Sequence, residues 1–406
     1  MTGVVLTLNA GSSSLKFAVF DGTKSTASAE ITGKIAGIGR SPVFNAQDAT
    51  GRALEKGILD ALDPSLNHEQ LIALLLPWLG QHHGHRPLLA VGHRVVHGGQ
   101  QFQGPTPITD DVMSALDTLA PLAPLHQSHN LAAIRAVSKW QPSLQQVACF
   151  DTSFHFGRER LAELYALPRA LSDEGIIRYG FHGLSYEYIA SVLPTYLGPL
   201  AGGRVIVAHL GNGSSMCAIK DQKSAATSMG FTALDGLMMG RRCGALDPGV
   251  VLYLMQAKGM NTAQIEDLLY RQSGLLGVSG ISNNMQILLQ SDDPNAREAV
   301  DLYCHRAASV LAGLVPAIGG LDALVFTAGI GENAPDIRQK ICDLLTWLGI
   351  ELNPVANSKN TTEISSQHSS VRVLALKTNE EIVVADACRR FLANGGSQRA
   401  TDTSGN

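Results

Sequence analysis

The sequence contains no run near the roughly 18 consecutive apolar residues of a membrane helix, and no basic segment precedes the first strand-like run at Val4. A membrane span and a secretory leader are therefore not expected, and a cytoplasmic location is. Long runs of lysine or arginine are also missing, and the formal net charge is -4. Nucleic acid, which needs a clustered basic footprint, is discounted as a partner. The six cysteines show no CxxC spacing, which favours reduced core thiols over disulfides or zinc. There is no GxxxxGK[ST] motif, and no GxGxxG opens a helix after a strand, so P-loop and Rossmann folds are excluded.

What is present suits a soluble α/β protein. A chain of 406 residues exceeds one ordinary core, so two domains are expected. Two segments about 200 residues apart share one layout of apolar run, small-residue turn and apolar run. "VVLTLNAGSSSLKFAVFD" is the first and "RVIVAHLGNGSSMCAIKD" (204–221) the second, with Asn9 to Ser13 set against Gly211 to Ser215. Each reads as a β-hairpin, and the repetition predicts two domains of related topology. Helical spacing fills the intervals: 67–80 up to its proline, a segment capped by Ser185, then 262–274, 295–320, 334–349 and 380–396. A third glycine-rich turn, "ALVFTAGIGENAPDIRQK" (323–340), runs from a buried-type strand through Gly329 and Gly331 into a helix and would offer free N–H groups to an anion.

Three small-residue turns in one chain suggest a cradle for a polyphosphate, although any one of them alone is more often structural. The segments "VGHRVVHGG" (91–99), "ACFDTSFH" (148–155), "IRYGFHGLS" (177–185) and "MMGRRCGALDPG" (238–249) set polar side chains beside glycines or strands. Arg94 and Arg242 have the shape to clamp carboxylate or phosphate oxygens, and a surface ion pair is the competing reading. His182 reads equally as a satisfied core histidine, and Asp151 as a turn cap. "QHHGHR" (81–86) reads as a solvated loop in preference to a chelating site, and "HQSH" (126–129) has helical spacing.

The stretches "LTLNAGSSSLKFAVF", "HRVVHGG", "FDTSFH", "RYGFHG", "HLGNGSS", "GIGEN" and "TNEE" follow one another from about Val4 to Arg390. In that order they resemble the acetate/propionate kinase family of the actin-like superfamily. The resemblance implies a two-domain actin-like fold, ribonuclease H-like and duplicated, with an active-site cleft between domains. It implies an N-terminal ribonuclease H-like domain over 1–150 joined by a C-terminal helix over 381–395, a nucleotide-binding domain over 151–380, and a flexible tail over 396–406. The implied activity is Mg²⁺- or Mn²⁺-dependent, reversible transfer of the ATP γ-phosphoryl group to acetate, giving acetyl phosphate and ADP, in a homodimer. A propionate- or butyrate-preferring acyl kinase, or a non-catalytic ATP-binding protein on the same fold, are the alternatives.

By the same resemblance, Asn9 and Glu380 would bind the metal. Arg94 and Arg242 would hold the carboxylate and the transferring group. His182 would contact the phosphoryl oxygens with His126 in support, and Asp151 would act by positioning. Val96, Leu125, Phe181 and Ala233 would line the acyl pocket. His209, Leu210, Gly211, Asn212 and Gly213, with Ser12 and Lys16, would face the phosphates. Asn283, Asn284 and Met285, with Gly329, Ile330, Gly331, Glu332 and Asn333, would form the adenosine pocket. Four departures from the family pattern stand out. Asn284 and Gln286 replace an Asp and an Arg near the nucleotide, which opens pyrophosphate as an alternative donor. Ala233 replaces a proline and predicts tolerance of longer acyl chains. Arg241 and Ala245 are unusual neighbours of Arg242, so either arginine could reach the site, although the alignment favours Arg242. Leu184 and Tyr186 replace Thr and His for no reason visible in the sequence.

Overall fold

The computed structural model describes residues 3–24, 28–60, 62–84, 86–124 and 126–395. They fall into two compact units, one running to Ser153 and resuming at Asn379, the other spanning Phe154–Thr378. Asp151 and Glu380, assigned to the second domain from sequence, thus lie in the first unit. The expected tail over 396–406 lies outside the described residues.

The first unit is built on a seven-stranded sheet ordered β4-β3-β2-β1-β5-β7-β6. Its strands are β1 (Val4–Gly11), β2 (Ser14–Asp21), β3 (Ile31–Ala36), β4 (Val43–Asp48), β5 (Leu88–Val95), β6 (Thr106–Pro107) and β7 (Gln145–Phe150). The first four form an antiparallel meander, and β5 and β7 extend it in parallel from β1. One face buries Phe17, Phe44 and Trp78 among the aliphatic residues of helix His68–His82. That helix continues past Pro77, where the sequence suggested it would stop. Helix Glu380–Ala393 lies close against β5 at Gly92, where an added Cβ would stand 2.4 Å from Val384 Cγ1 and 2.8 Å from Cys388 Sγ.

The second unit carries a five-stranded sheet ordered β10-β9-β8-β11-β12. Its strands are β8 (Val205–Leu210), β9 (Ser214–Lys220), β10 (Lys223–Thr227), β11 (Ala323–Thr327) and β12 (Arg372–Ala375). Three antiparallel strands are again followed by two parallel ones, so β8 to β12 repeat the pattern of β1, β2, β3, β5 and β7. The repeated hairpin in the sequence is the start of this duplicated topology. Strand β8 is buried along its whole length, as expected for a strand covered on both faces. The long helix Pro294–Ile318 packs against it and ends at Gly319, whose φ of 74° suits the left-handed closing position.

Two local expectations are corrected. Ser185 does not cap its helix: helix Gly183–Leu197 starts earlier, with His182 at the cap position in a left-handed conformation (φ 58°, ψ 25°). Likewise Gly329 and Gly331 do not form a turn ahead of a helix. They lie inside the short helix Ala328–Asn333, which begins directly after β11 because Ala328 takes a φ of 64° and turns the chain at once.

Candidate active site

In the first unit, Arg94 leaves β5 one residue before its end, and Asp151 directly follows the neighbouring parallel strand β7. The Asp151 backbone N–H donates to the Val95 carbonyl at 3.1 Å, which continues the ladder and turns the carboxylate toward Arg94. Arg94 donates through Nε at 2.8 Å to Asp151 Oδ1 and through Nη2 at 2.7 Å to Oδ2. Its Nη1 lies 3.3 Å from Glu380 Oε2. Asp151 is only 2% exposed. Burial on its own would lower the Arg94 pKa, but Asp151 and Glu380 outweigh it and raise the value above that of an ordinary arginine. The arginine is thus held as a fixed cation between two carboxylates.

The other expected residues of this unit take varied positions. Asn9 lies on β1, opposite Lys16 of β2, and Ser12 is exposed at the hairpin turn. His68 Nε2 contacts the Gly11 carbonyl at 2.7 Å and ties that turn to the start of its helix. Val96 is buried, and its N–H donates to Asn130 Oδ1 at 3.0 Å. His126 sits at the start of helix Gln127–Trp140. Leu125 lies outside the described residues.

In the second unit, several elements converge on the β8–β9 turn. A Cβ built on Gly213 would stand 2.7 Å from Arg242 Nη2 and 3.3 Å from His182 Nε2, so both side chains reach one point on the turn. Arg242 is oriented by donating Nη1–H to the Ala233 carbonyl, while Arg241 is exposed. The structure therefore brings Arg242, and not Arg241, to His182. The left-handed backbone of His182, an uncommon state for a residue with a side chain, aims its ring at the turn. The ring stacks on His209 at 4.2 Å between centroids, and its Nδ1 lies 2.8 Å from Ser215 Oγ. Ser215 Oγ is also within hydrogen-bond reach of Tyr186 OH. His209 Nδ1 pairs with Ser185 Oγ at 2.8 Å, and Ser185 Oγ with Thr378 Oγ1 at 2.8 Å. This is where Ser185 acts in place of the expected cap.

A cavity of about 810 Å³ lies beside the same turn, lined among others by Asn212, Asn283, Met285, Gln286, Ile330 and Asn333. Its described lining carries no lysine or arginine. Asn283 Nδ2 donates to Asn212 Oδ1 at 3.1 Å, and Asn284 caps the next helix by accepting from the Gln286 N–H at 2.9 Å. Glu332 is not among the described residues that line the cavity. Its Oε1 accepts from the N–H groups of Ala328 at 2.9 Å and Thr378 at 3.1 Å, so it braces the segment holding Gly329 and Gly331. Leu210 is fully buried in the hydrophobic core, which leaves only its backbone for a phosphate. Phe181 is also buried, with its carbonyl facing His155 Nε2 at 3.0 Å. Sequence reasoning missed Ser215 as the partner of His182 and Tyr186 as the partner of Ser215. Ser215 was visible only as half of a repeated Ser-Ser pair, and Tyr186 only as a departure from the family pattern with no partner in view.

The profile of the Acetokinase family matches residues 4–386. An acetate kinase of Rhodopseudomonas palustris (strain TIE-1) is 51% identical over 401 residues, 98% of this chain and 100% of the relative. A propionate kinase from Francisella tularensis subsp. tularensis SCHU S4 superimposes with a TM-score of 0.88 at 36% identity, covering 95% of this chain and 98% of its own. Acetate kinase from Porphyromonas gingivalis gives 0.84 at 33% identity, covering 96% and 100%. With its duplicated sheet topology and a profile match over nearly its whole length, the chain belongs to the acetokinase family.

Proposed function

We propose that the chain is an acetate kinase that transfers the γ-phosphoryl group of ATP directly to acetate, reversibly. The observation that carries this reading is the convergence of Arg242 and His182 on the Gly213 turn, beside a cavity large enough for a nucleoside. An acetate oxygen attacks the γ-phosphorus, the bond to the β,γ-bridging oxygen breaks, and ADP leaves with the electron pair. The carboxylate is already ionised at neutral pH, so no general base is required. Two anions must be brought together, and catalysis comes from positioning and from positive charge directed at the equatorial oxygens. Arg242 supplies that charge, and His182 adds an N–H donor beside it. Asp151 positions Arg94, which engages the carboxylate.

For Mg²⁺, no group of three or more His, Cys, Asp or Glu among the described residues stands ready as a cage. This fits an ion that keeps most of its water and takes one or two carboxylates plus substrate phosphates. Asn9 and Glu380 offer hard oxygen donors of that type, and Glu380 stands in a set with one more carboxylate than cation. When bound, Mg²⁺ supplies neutralisation of charge on the phosphates.

The size of the cavity supports ATP over pyrophosphate, which would need no nucleoside space. Ala233, smaller than proline, supports tolerance of propionate, at ~0.8 kcal/mol per buried CH₂. A hydroxamate assay for acyl phosphate, with Mg²⁺, ATP or pyrophosphate, and acetate, propionate or butyrate, tests the whole reading. ATP-dependent acetyl phosphate is the expected product, with propionate also accepted. Absence of acyl phosphate with every carboxylate would overturn it.

A homodimer is the proposed assembly. Helix Pro248–Gln256 is apolar, yet none of its residues is buried, and Leu252 and Tyr253 are more than half exposed. A second copy covering this face would account for it, and light scattering on the eluting protein should give twice the chain mass. No helix among the described residues is long and apolar enough to cross a membrane, and we place the enzyme in the cytoplasm.

A further inference from the structure

We infer that Ser215, set by Tyr186, is a positioning residue that holds the His182 ring in the tautomer with its proton on Nε2, the nitrogen nearer Gly213 and Arg242. The inference rests on the proposed function only for its catalytic consequence.

The argument follows the protons. Tyr186 and Ser215 are both fully buried. A phenol has one proton, and among the described residues the hydroxyl partner of Tyr186 is Ser215 Oγ. Burial first, and the neighbouring Cys217 second, raise the Tyr186 pKa well above its ordinary value, so the proton stays on the phenol. The phenol therefore donates to Ser215. The Ser215 proton is left to point at the other partner of that oxygen, His182 Nδ1, at 2.8 Å. Nδ1 accepts, and in the neutral ring Nε2 must then carry the hydrogen. The reverse order, from Nδ1–H through Ser215 to Tyr186, would strand the phenolic proton in a buried place without an acceptor, and buried donors are rarely left so.

The consequence lies at Gly213. Arg242 Nη2 and His182 Nε2 both approach the place a Cβ on Gly213 would take, and with Nε2 protonated both present N–H donors to the same region. The other tautomer would turn a lone pair toward phosphoryl oxygens and repel them. Stacking on His209 fixes the plane of the ring, and the left-handed backbone at 182 fixes its direction, so the tautomer is the remaining variable.

The test reads the tautomer without turnover. Long-range proton–nitrogen NMR on histidine-labelled protein, with His182 assigned through His182→Asn, is expected to show Nε2 protonated and Nδ1 as a lone pair. Ser215→Ala should lose that fixed pattern and lower kcat by ~10–10²-fold with little change in KM, as for a misplaced catalytic contact. Ser215→Thr keeps the hydroxyl and should recover most of the loss, and Tyr186→Phe should fall in between. A protonated Nδ1 in the unaltered protein, or unchanged kcat in Ser215→Ala, would overturn the inference. Should the chain form no acyl phosphate, the nitrogen shifts still decide the relay, and the failure belongs to the proposed function.

Discussion

The two units use one topology but hold their arginines in different ways. In the first, Arg94 is gripped by two carboxylates, Asp151 and Glu380, and the group as a whole has more negative than positive charge. In the second, Arg242 donates to the neutral carbonyl of Ala233 and meets His182 at the Gly213 turn. Carboxylates fix the arginine they grip while taking up part of its field, whereas a carbonyl sets an arginine's direction and takes up less of it.

Removing each arginine is the strongest way to break this contrast. Arg242→Ala should lower kcat by ~10²–10³, the usual cost of one donor at a developing charge, with the melting temperature nearly unchanged. Arg94→Ala should also lower activity, but it strands Asp151 and should cost roughly 3–5 kcal/mol of stability, as for a broken buried pair. Equal melting temperatures for the two variants would erase the distinction. The paired hairpins offer a second comparison. Gly213→Ala drives a methyl group into Arg242 and His182 and should lower kcat by ~10–10², as for a displaced catalytic group. Gly11→Ala meets only Ser14, at 3.6 Å or more, and should stay within about threefold.

Acid should weaken both units for a shared reason. Burial holds His93 and His97 of the first unit down to about 4, and burial with the adjacent Arg158 holds His155 of the second down to about 3. These rings stay neutral in the folded chain, while in the unfolded chain they gain a proton below about 6.5. The unfolded state therefore binds more protons, and the stability that is complete above that pH is lost as pH falls toward 4. Urea unfolding at pH 7 and pH 5 should show the loss, and His155→Asn should flatten it by roughly 1.4 kcal/mol per pH unit. The smallest effect is expected for Arg241→Ala, whose exposed side chain should change kcat by less than about twofold.

The sequence revealed what depends on local pattern. Both hairpins were legible because apolar runs flank a turn of small residues, and Gly319 closes its helix as a glycine in that place should. Legibility ended where distant segments decide. Ser185 resembles a helix cap, but a partner 193 residues away takes its hydroxyl. Glu332 resembles a nucleotide contact, and nothing local shows that backbone N–H groups on both sides of it donate to its Oε1. Arg242 could be separated from Arg241 only by coordinates, because adjacent residues on an irregular loop have no period to tell which one points inward.

The missing Cβ at Gly92 has a consequence for how the molecule comes into being. It lets the last helix, Glu380–Ala393, settle on a strand made some 290 residues earlier in synthesis. The opening 153 residues thus emerge from the ribosome with a bare sheet face and must wait through translation of the whole intervening unit before their closing piece arrives. At ~5–20 residues per second that delay lasts tens of seconds, time in which a chaperone or an assembly partner could occupy the exposed face.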